Sequence, residues 1–228
     1  MTKNHLKRIK APKTWDIHRK QHVFVSRPNP GGHELEYCVS LNTFLKEILR
    51  ETNTTKETKY MLTHQGVQVN GKPVRDERHQ VGFLDLVTLP NNKSYIATMS
   101  KRNTLIAKEV KEKQSLLRIT KKTMISKEKL QINGMNGINI LVPVKEGKNY
   151  QVGDSLLISL PDKKVKDHFK REKGVQGFIY TGKHSGKQGK VVSIEEDTVH
   201  IESEEGDIET HKEYLIVNGK TKPTINLS

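Results

Sequence analysis

Two groups of residues in this chain are spaced for chemistry. His18 and His22 stand four apart, as two ligands on one helical turn would. Gly182, Gly186 and Gly189 alternate with Lys183, His184, Lys187 and Lys190, a pattern that lets backbone approach closely while cations meet phosphate oxygens. No third ligand accompanies the histidines, and the glycine run lacks the Walker spacing that ends in Gly-Lys-Ser/Thr. His-Glu-x-x-His, paired acids in an apolar setting and Gly-x-Ser-x-Gly are also missing, so no catalytic group, metal or cofactor is expected. The single cysteine, Cys38, excludes an internal disulfide and a Cys-pair zinc site and is expected as a small buried apolar side chain. What remains is the display of cations.

That display is large. Forty Lys plus Arg against 26 Asp plus Glu give a formal net charge of +14, which points to a polyanionic partner. Residues 1 to 20 carry seven of the cations against Asp16 alone, together with the only tryptophan. Cations neutralise phosphates and release counterions, and an indole can stack on an unpaired base. Lys7, Arg8, Lys10, Lys13, Trp15, Arg19 and Lys20 are therefore candidate RNA contacts, with Lys3 also in the arm. Residues 195 to 209 are the opposite, with eight acids and no Lys or Arg. RNA should repel that segment, which is expected to face solvent or a basic neighbouring protein.

Elements to position these groups can be read from periodicity. Leu41, Phe44, Leu45, Ile48 and Leu49 have the spacing of a helix with one buried face. Thr54-Thr-Lys-Glu57 has the form of a capping box opening a second helix, with Tyr60, Met61 and Leu62, that ends at Gln65-Gly66. Val67-Gln-Val69 alternates as a strand, Asn70-Gly71 signals a tight hairpin, Val74 begins the return, and Asp85 to Leu89 is a further strand. On this framework Lys46, Lys56 and Lys59 share an exposed face with Lys72, Arg75 and Arg78 and with His79, and the first six are candidate RNA contacts. Ser26 to His33, with two prolines and a glycine pair, should run extended over a surface.

Residues 101 to 129, with ten Lys or Arg against three Glu, read as a basic connector entering a β-rich region. Leu130 to Gly134, Ile138 to Val142 and Ser155 to Leu160 are strand-like runs, and a second basic run follows from Lys163 to Lys173. Gly177 to Ile194 then reads strand, glycine-rich turn, strand, with Lys183, His184, Lys187 and Lys190 as its candidate RNA contacts. Only 33% of residues are hydrophobic, and even with the glycines added this is below the roughly 45–50% usual for globular domains. Several small modules, each gaining stability from a bound partner, are expected rather than one large core. No run approaches the roughly 18 apolar residues of a membrane span, and the start lacks the apolar core of a signal peptide, so a cytoplasmic protein without a membrane partner is expected.

The residues from Leu41 to Leu62, Gly66 to Lys72 and Val81 to Val87 resemble the helix-helix-hairpin RNA-binding module named for a bacterial small-subunit ribosomal protein. Gly177 to Ile194 resembles the KOW motif of small five-stranded SH3-like barrels. Taken in order with His5 to Trp15, Arg27-Pro28 and Gly153 to Pro161, they resemble nearly throughout the archaeal and eukaryotic-type small-subunit ribosomal protein family S4e. The resemblance implies an α+β chain of four parts: a basic N-terminal extension at 1–40, an S4-type module at 41–100, a central β domain at 101–172, and a KOW barrel with tail at 173–228. It implies a non-enzymatic constituent of the small ribosomal subunit that binds rRNA and supports assembly and translation. Its partners would be small-subunit rRNA and neighbouring small-subunit proteins, with the 195–209 segment a candidate for protein contact, and no homo-oligomer is expected. A KOW-type elongation or antitermination factor and an RNA-modifying enzyme stay open as alternatives. Gly32 and Gln80 stand where the family favours proline, and both changes are expected to loosen the local backbone.

Overall fold

The computed structural model describes residues 5–203 and 205–227, so Lys3 of the arm and Glu204 of the acidic segment lie outside the described residues. Among the described residues the strands form three five-stranded sheets and two two-stranded ones, with short helices between them. The class is α+β with β predominating. The chain divides into two compact units, residues 1–98 with 104–113, and residues 99–103 with 114–228.

In the first unit the helical periodicity is realised with a widening. Ser40 caps the first turn by accepting from the Thr43 amide at 3.2 Å, and Leu41–Thr43 runs on into Phe44–Ile48, where Leu49 N–H reaches the Phe44 carbonyl at 2.9 Å. Leu41, Phe44 and Leu45 are wholly buried. Thr54 and Glu57 complete the capping box, the hydroxyl accepting from the Glu57 amide at 3.2 Å and the carboxylate from the Asn53 and Thr54 amides at 2.8 and 3.4 Å. The second helix, Thr55–Tyr60 continued by Met61–Gln65, buries Leu62 and ends at Gly66 with φ +80°.

The hairpin pairs Val67–Val69 with Lys72–Val74. Asn70 and Gly71 have φ of +52° and +75°, the double left-handed turn whose twist matches the strands. The five-stranded sheet runs in the order Lys72–Val74, Val67–Val69, Leu86–Thr88, Ser94–Met99, Leu105–Val110. Its corner is set by one buried carboxylate. Asp85 accepts from the Asn70 side-chain amide at 2.7 Å and the Gly82 amide at 2.8 Å, and pairs with His33 at 2.8 Å. The Asn70 side-chain oxygen in turn accepts from the Leu86 amide at 2.9 Å.

The Ser26 to His33 stretch docks on this corner of its own chain. Asn29 donates to the Arg78 carbonyl at 2.8 Å and to Asp76 at 2.6 Å, and Arg78 Nε donates to the Arg27 carbonyl at 3.1 Å. Gln80 does the reverse of loosening the backbone. Its amide accepts from His33 N–H and donates to the His33 carbonyl, each at 3.2 Å, a pair of bonds that proline has no groups to make.

In the second unit one sheet has the order Asn139–Pro143, Lys129–Gly134, Gln114–Met124, Ser155–Ser159, Lys164–Phe169. This corrects the reading of 101–129 as a connector. Leu105–Val110 is an edge strand of the first unit's sheet, and Gln114–Met124 is the central strand of this one. Leu116, Leu117 and Ile119 are fully buried while Thr120, Lys121 and Thr123 onward face largely outward, so the lysines disguise a core strand. The last sheet has the order Gly206–His211, Thr198–Ser203, Gln188–Ile194, Gln176–Ile179, Leu215–Gly219, around a core of Ile179, Val191, Val199, Ile201, Ile208 and Leu215. The Val217 amide donates to Ser155 Oγ at 3.2 Å and so joins the two sheets. No described helix is long and apolar enough to cross a membrane.

The His33–Asp85 pair makes stability depend on pH. Burial works to lower the His33 pKa, but the charge and hydrogen bond of Asp85 outweigh it, and the net shift is upward from 6.5. The imidazolium therefore contributes stability that is fully present below its unfolded value and is lost as pH rises through the folded pKa. Chemical denaturation of the wild-type chain should show stability falling as pH rises above about 6.5, and His33→Gln should flatten that dependence. An unchanged pH profile in the variant would remove His33 from this role.

Candidate nucleic-acid interface

The arm is a folded loop rather than a free tail. His5–Lys7 pairs with Phe24–Ser26, and the Arg8 amide donates to the Val23 carbonyl at 2.9 Å. Within this loop the cations divide into two classes. Arg8 is only 2% exposed and forms a salt bridge with Glu47 of the first helix. Arg19 donates to the carbonyls of Ala11 and Pro12 at 2.8 and 2.7 Å, and it lies within 3.4 Å of the Arg8 carbonyl. Trp15 is 2% exposed and donates its indole N–H to the Leu35 carbonyl at 3.3 Å.

These three are corrections to the expected contact set. Arg8 and Trp15 have no surface to offer RNA, and Arg19 spends its planar fork on main-chain oxygens. Lys7, Lys10, Lys13 and Lys20 remain exposed. The arm thus keeps a lysine surface above an arginine and tryptophan interior. A polar cleft of about 430 Å³ opens beside it, lined in part by His18, His22, Lys46, Glu47 and Arg50.

Around the helices and hairpin, Lys56, Lys72 and Arg75 are exposed and Lys46 is half-buried. Lys59, also exposed, is paired with Glu77 at 3.2 Å. Arg78 is half-buried and holds Arg27, so it positions backbone as well as carrying charge. On the second unit's glycine-rich turn, Lys183 is exposed and His184 half-buried. Lys190 is exposed on the adjoining strand.

Lys187 is not alone. Its ammonium meets Glu205 at 2.8 Å, and Lys101 binds the other oxygen of the same carboxylate at 2.5 Å. The two lysine hydrogen bonds, Lys101 first, hold the Glu205 carboxyl down at about 2. The acidic segment is therefore partly neutralised within the chain, since Asp197 also pairs with Lys212 at 2.6 Å. Lys101 and Glu205 were missed as site residues because each is one charge in a run of like charges, and only the fold selects the pair.

Among the described residues no group of three or more His, Cys, Asp or Glu stands close enough to hold a metal ion. Cys38 is buried and unpaired, and burial pushes its thiol up to about 12, so it is an inert apolar group.

The same arrangement of parts recurs in known proteins. Residues 2–36 match the RS4NT (NUC023) domain, and residues 87–165 match ribosomal family S4e. Small ribosomal subunit protein eS4 of Methanosphaera stadtmanae is 36% identical over 236 residues, covering 99% of this chain and 96% of that protein. The chain belongs to the S4e family of ribosomal proteins. The eS4 proteins of Archaeoglobus fulgidus and Methanocaldococcus jannaschii are 35% and 33% identical, over 100% and 99% of this chain and 99% and 98% of theirs. The crystal structure of the 30S ribosomal protein S4e from Thermoplasma acidophilum superposes with a TM-score of 0.69 at 25% identity, covering 81% of this chain and 96% of that one.

In this S4e chain the RS4NT match spans the described part of the folded-back arm, which the Arg8–Glu47 pair ties to the first helix. Removing one partner of a buried pair leaves an uncompensated charge. Glu47→Ala should therefore destabilise the chain by about 3–5 kcal/mol, read by urea denaturation, with Arg8→Met milder because the charge it leaves unpaired, Glu47, is the more exposed of the two. A Glu47→Ala loss within the range of an exposed pair would show that the arm is held by packing alone.

Proposed function

We propose that this S4e protein is a structural, non-enzymatic constituent of the small ribosomal subunit that binds rRNA and supports subunit assembly and translation. The observation that carries the reading is the end-to-end kinship with small-subunit eS4 proteins, 36% identical over 99% of the chain. A transcription factor or a modifying enzyme would need a large part of the chain to be something else. The ribosome in the cytoplasm is its place of work.

RNA is held by the cations that the fold leaves at the surface: Lys7, Lys10, Lys13 and Lys20 on the arm, Lys46, Lys56, Lys59, Lys72, Arg75 and Arg78 around the helices and hairpin, and Lys183, His184, Lys187 and Lys190 at the glycine-rich turn. Residues 41–100 act as the S4-type module, its sheet extended by the edge strand Leu105–Val110, the rest of 101–172 as the central β domain and 173–228 as the KOW-type barrel, with 1–40 as the extension. In support of the S4-type assignment, two capped helical segments, Leu41–Ile48 and Thr55–Gln65, are followed by the hairpin of Val67–Val69 and Lys72–Val74 with its Asn70-Gly71 turn. Support for a KOW-type role lies in the two strands Gln176–Ile179 and Gln188–Ile194, which flank a turn containing Gly182 and Gly186 at positive φ. Recognition is by phosphate positioning and RNA shape. The acids not engaged by Lys101, Lys187 or Lys212 serve basic stretches of neighbouring small-subunit proteins.

If about eight phosphates are neutralised at about 0.7 counterions each, a fourfold rise in salt weakens isolated binding by roughly 10³. Changing Lys72 and Arg75 together to Ala should weaken rRNA binding and lower the salt slope by about 0.7 per cation, whereas Glu196→Gln with Glu209→Gln should leave both unchanged. Equal effects from the two sets would contradict this charge map. In cell lysate the protein should sediment with the small subunit through a high-salt sucrose gradient. Recovery only in light fractions would overturn the ribosomal reading.

A further inference from the structure

The Glu205 carboxylate sits in a groove of about 570 Å³ whose lining includes Lys101, Gln176, Lys187, Lys190 and Glu202. Three separate segments bring its carboxylate and the two lysines together. Gly186, at φ +76°, packs so tightly on the backbone of Ser100 and Lys101 that a Cβ there would lie 2.4 Å from the Lys101 nitrogen, which brings Lys101 beside the glycine-rich turn. Lys187 follows directly in that turn. Glu205 arrives from the far side, next to the turn into Gly206–His211.

The geometry of the pair is that of an anion site. One oxygen of the carboxylate takes Lys101 at 2.5 Å and the other takes Lys187 at 2.8 Å. A backbone phosphodiester of RNA offers the same pattern, two terminal oxygens sharing a single negative charge. We infer that this groove is a binding site for one RNA backbone phosphate, which takes the place held in the free protein by the Glu205 carboxylate. The inference rests on the rRNA-binding reading above and adds to it a specific subsite, a new ligand residue in Lys101, and a resident competitor.

The exchange is feasible because Glu205 is 46% exposed and Lys101 65% exposed, while Lys187, at 24%, is half-buried but lines the groove. Exposed ion pairs are weak and easily traded. Glu205 lies in the turn between the paired strands Thr198–Ser203 and Gly206–His211, so its side chain can turn to water without breaking their pairing. The incoming phosphate also belongs to a polyanion whose counterions are released on binding, an entropic gain that the single carboxylate lacks. Until then the carboxylate keeps two ammonium groups from repelling each other and holds the groove in shape.

The test measures binding of the full-length protein to a fluorescein-labelled RNA stem-loop by anisotropy over a range of salt, with folding of each variant checked by thermal melting. Glu205→Gln should tighten binding about three- to tenfold, since the two ion pairs of the carboxylate no longer have to be broken, and should steepen the salt slope. The control Glu209→Gln should do neither. Adding Lys101→Ala and Lys187→Ala to Glu205→Gln should abolish the gain. An unchanged affinity in Glu205→Gln, or a gain that survives loss of both lysines, overturns the subsite while leaving the rRNA-binding reading intact. Wild-type protein that fails to hold the RNA at any salt overturns both. Inorganic phosphate titrated alone into Glu205→Gln separates the source of the ligand: saturation by phosphate without any change in RNA affinity would overturn the assignment to RNA.

Discussion

The first unit depends on a carboxylate taken out of water. Asp85 is 2% exposed, and a buried carboxylate persists only when its lone pairs are matched by donors or an opposite charge. The donors come from far apart in sequence: Asn70 from the hairpin turn, Gly82 from the strand before the corner, and His33 from the end of the extension. Satisfying one charge therefore fixes where three segments meet. The Asn70 side chain does double service, since its amide donates to Asp85 while its oxygen accepts from the Leu86 amide that begins the next strand. The Asn70-Gly71 turn is thus bound into the corner as well as being locally favoured.

A similar division governs the arm. Arginine, with five donors in a planar fork, is suited to collecting several carbonyls or gripping a carboxylate, and the fold uses Arg8 and Arg19 in that way. Lysine is a point charge on a flexible stem, poor at tying a loop but adequate for a phosphate, and Lys7, Lys10, Lys13 and Lys20 stay outside. Trp15 anchors the arm by burial and by its indole hydrogen bond to Leu35. A small domain with little apolar composition gains here from groups that in isolation look like ligand contacts.

What could be read in advance was local. The capping box of Thr54 and Glu57, the Asn70-Gly71 turn, the helical spacing of Leu41 to Leu49 and the strand runs from Leu130 onward all involve neighbours within a few residues, where residue type limits backbone choice. The arm's interior was illegible because Arg8 finds its partner 39 residues away and Trp15 finds its acceptor 20 residues away. A cation beside an aromatic looks the same whether it awaits RNA or Glu47. The strand Gln114–Met124 was hidden for another reason, because its outward lysines raised the charge of a segment in which Leu116, Leu117 and Ile119 are fully buried. Gln80 shows the converse, for a departure from the family pattern tightened the backbone through two hydrogen bonds to His33.

A chain with a net charge of +14 has to manage its own repulsion before RNA arrives. The fold manages it by placing acids against particular cations: Glu47 on Arg8, Glu77 on Lys59, Glu205 on Lys101 and Lys187, Asp197 on Lys212. These pairs differ in how far water reaches them. Arg8–Glu47 is buried on the arginine side, at 2% exposure against 20% for Glu47, so breaking it strands a desolvated charge and the pair is part of the fold. In the Glu205 pairs the carboxylate is 46% exposed and its lysines 65% and 24%, so no partner is fully desolvated and the lysines can be handed to another anion that enters the groove. Burial, rather than distance or charge, separates the cations that hold the protein together from those available to its partner, and this is the property that a sequence read one residue at a time does not carry.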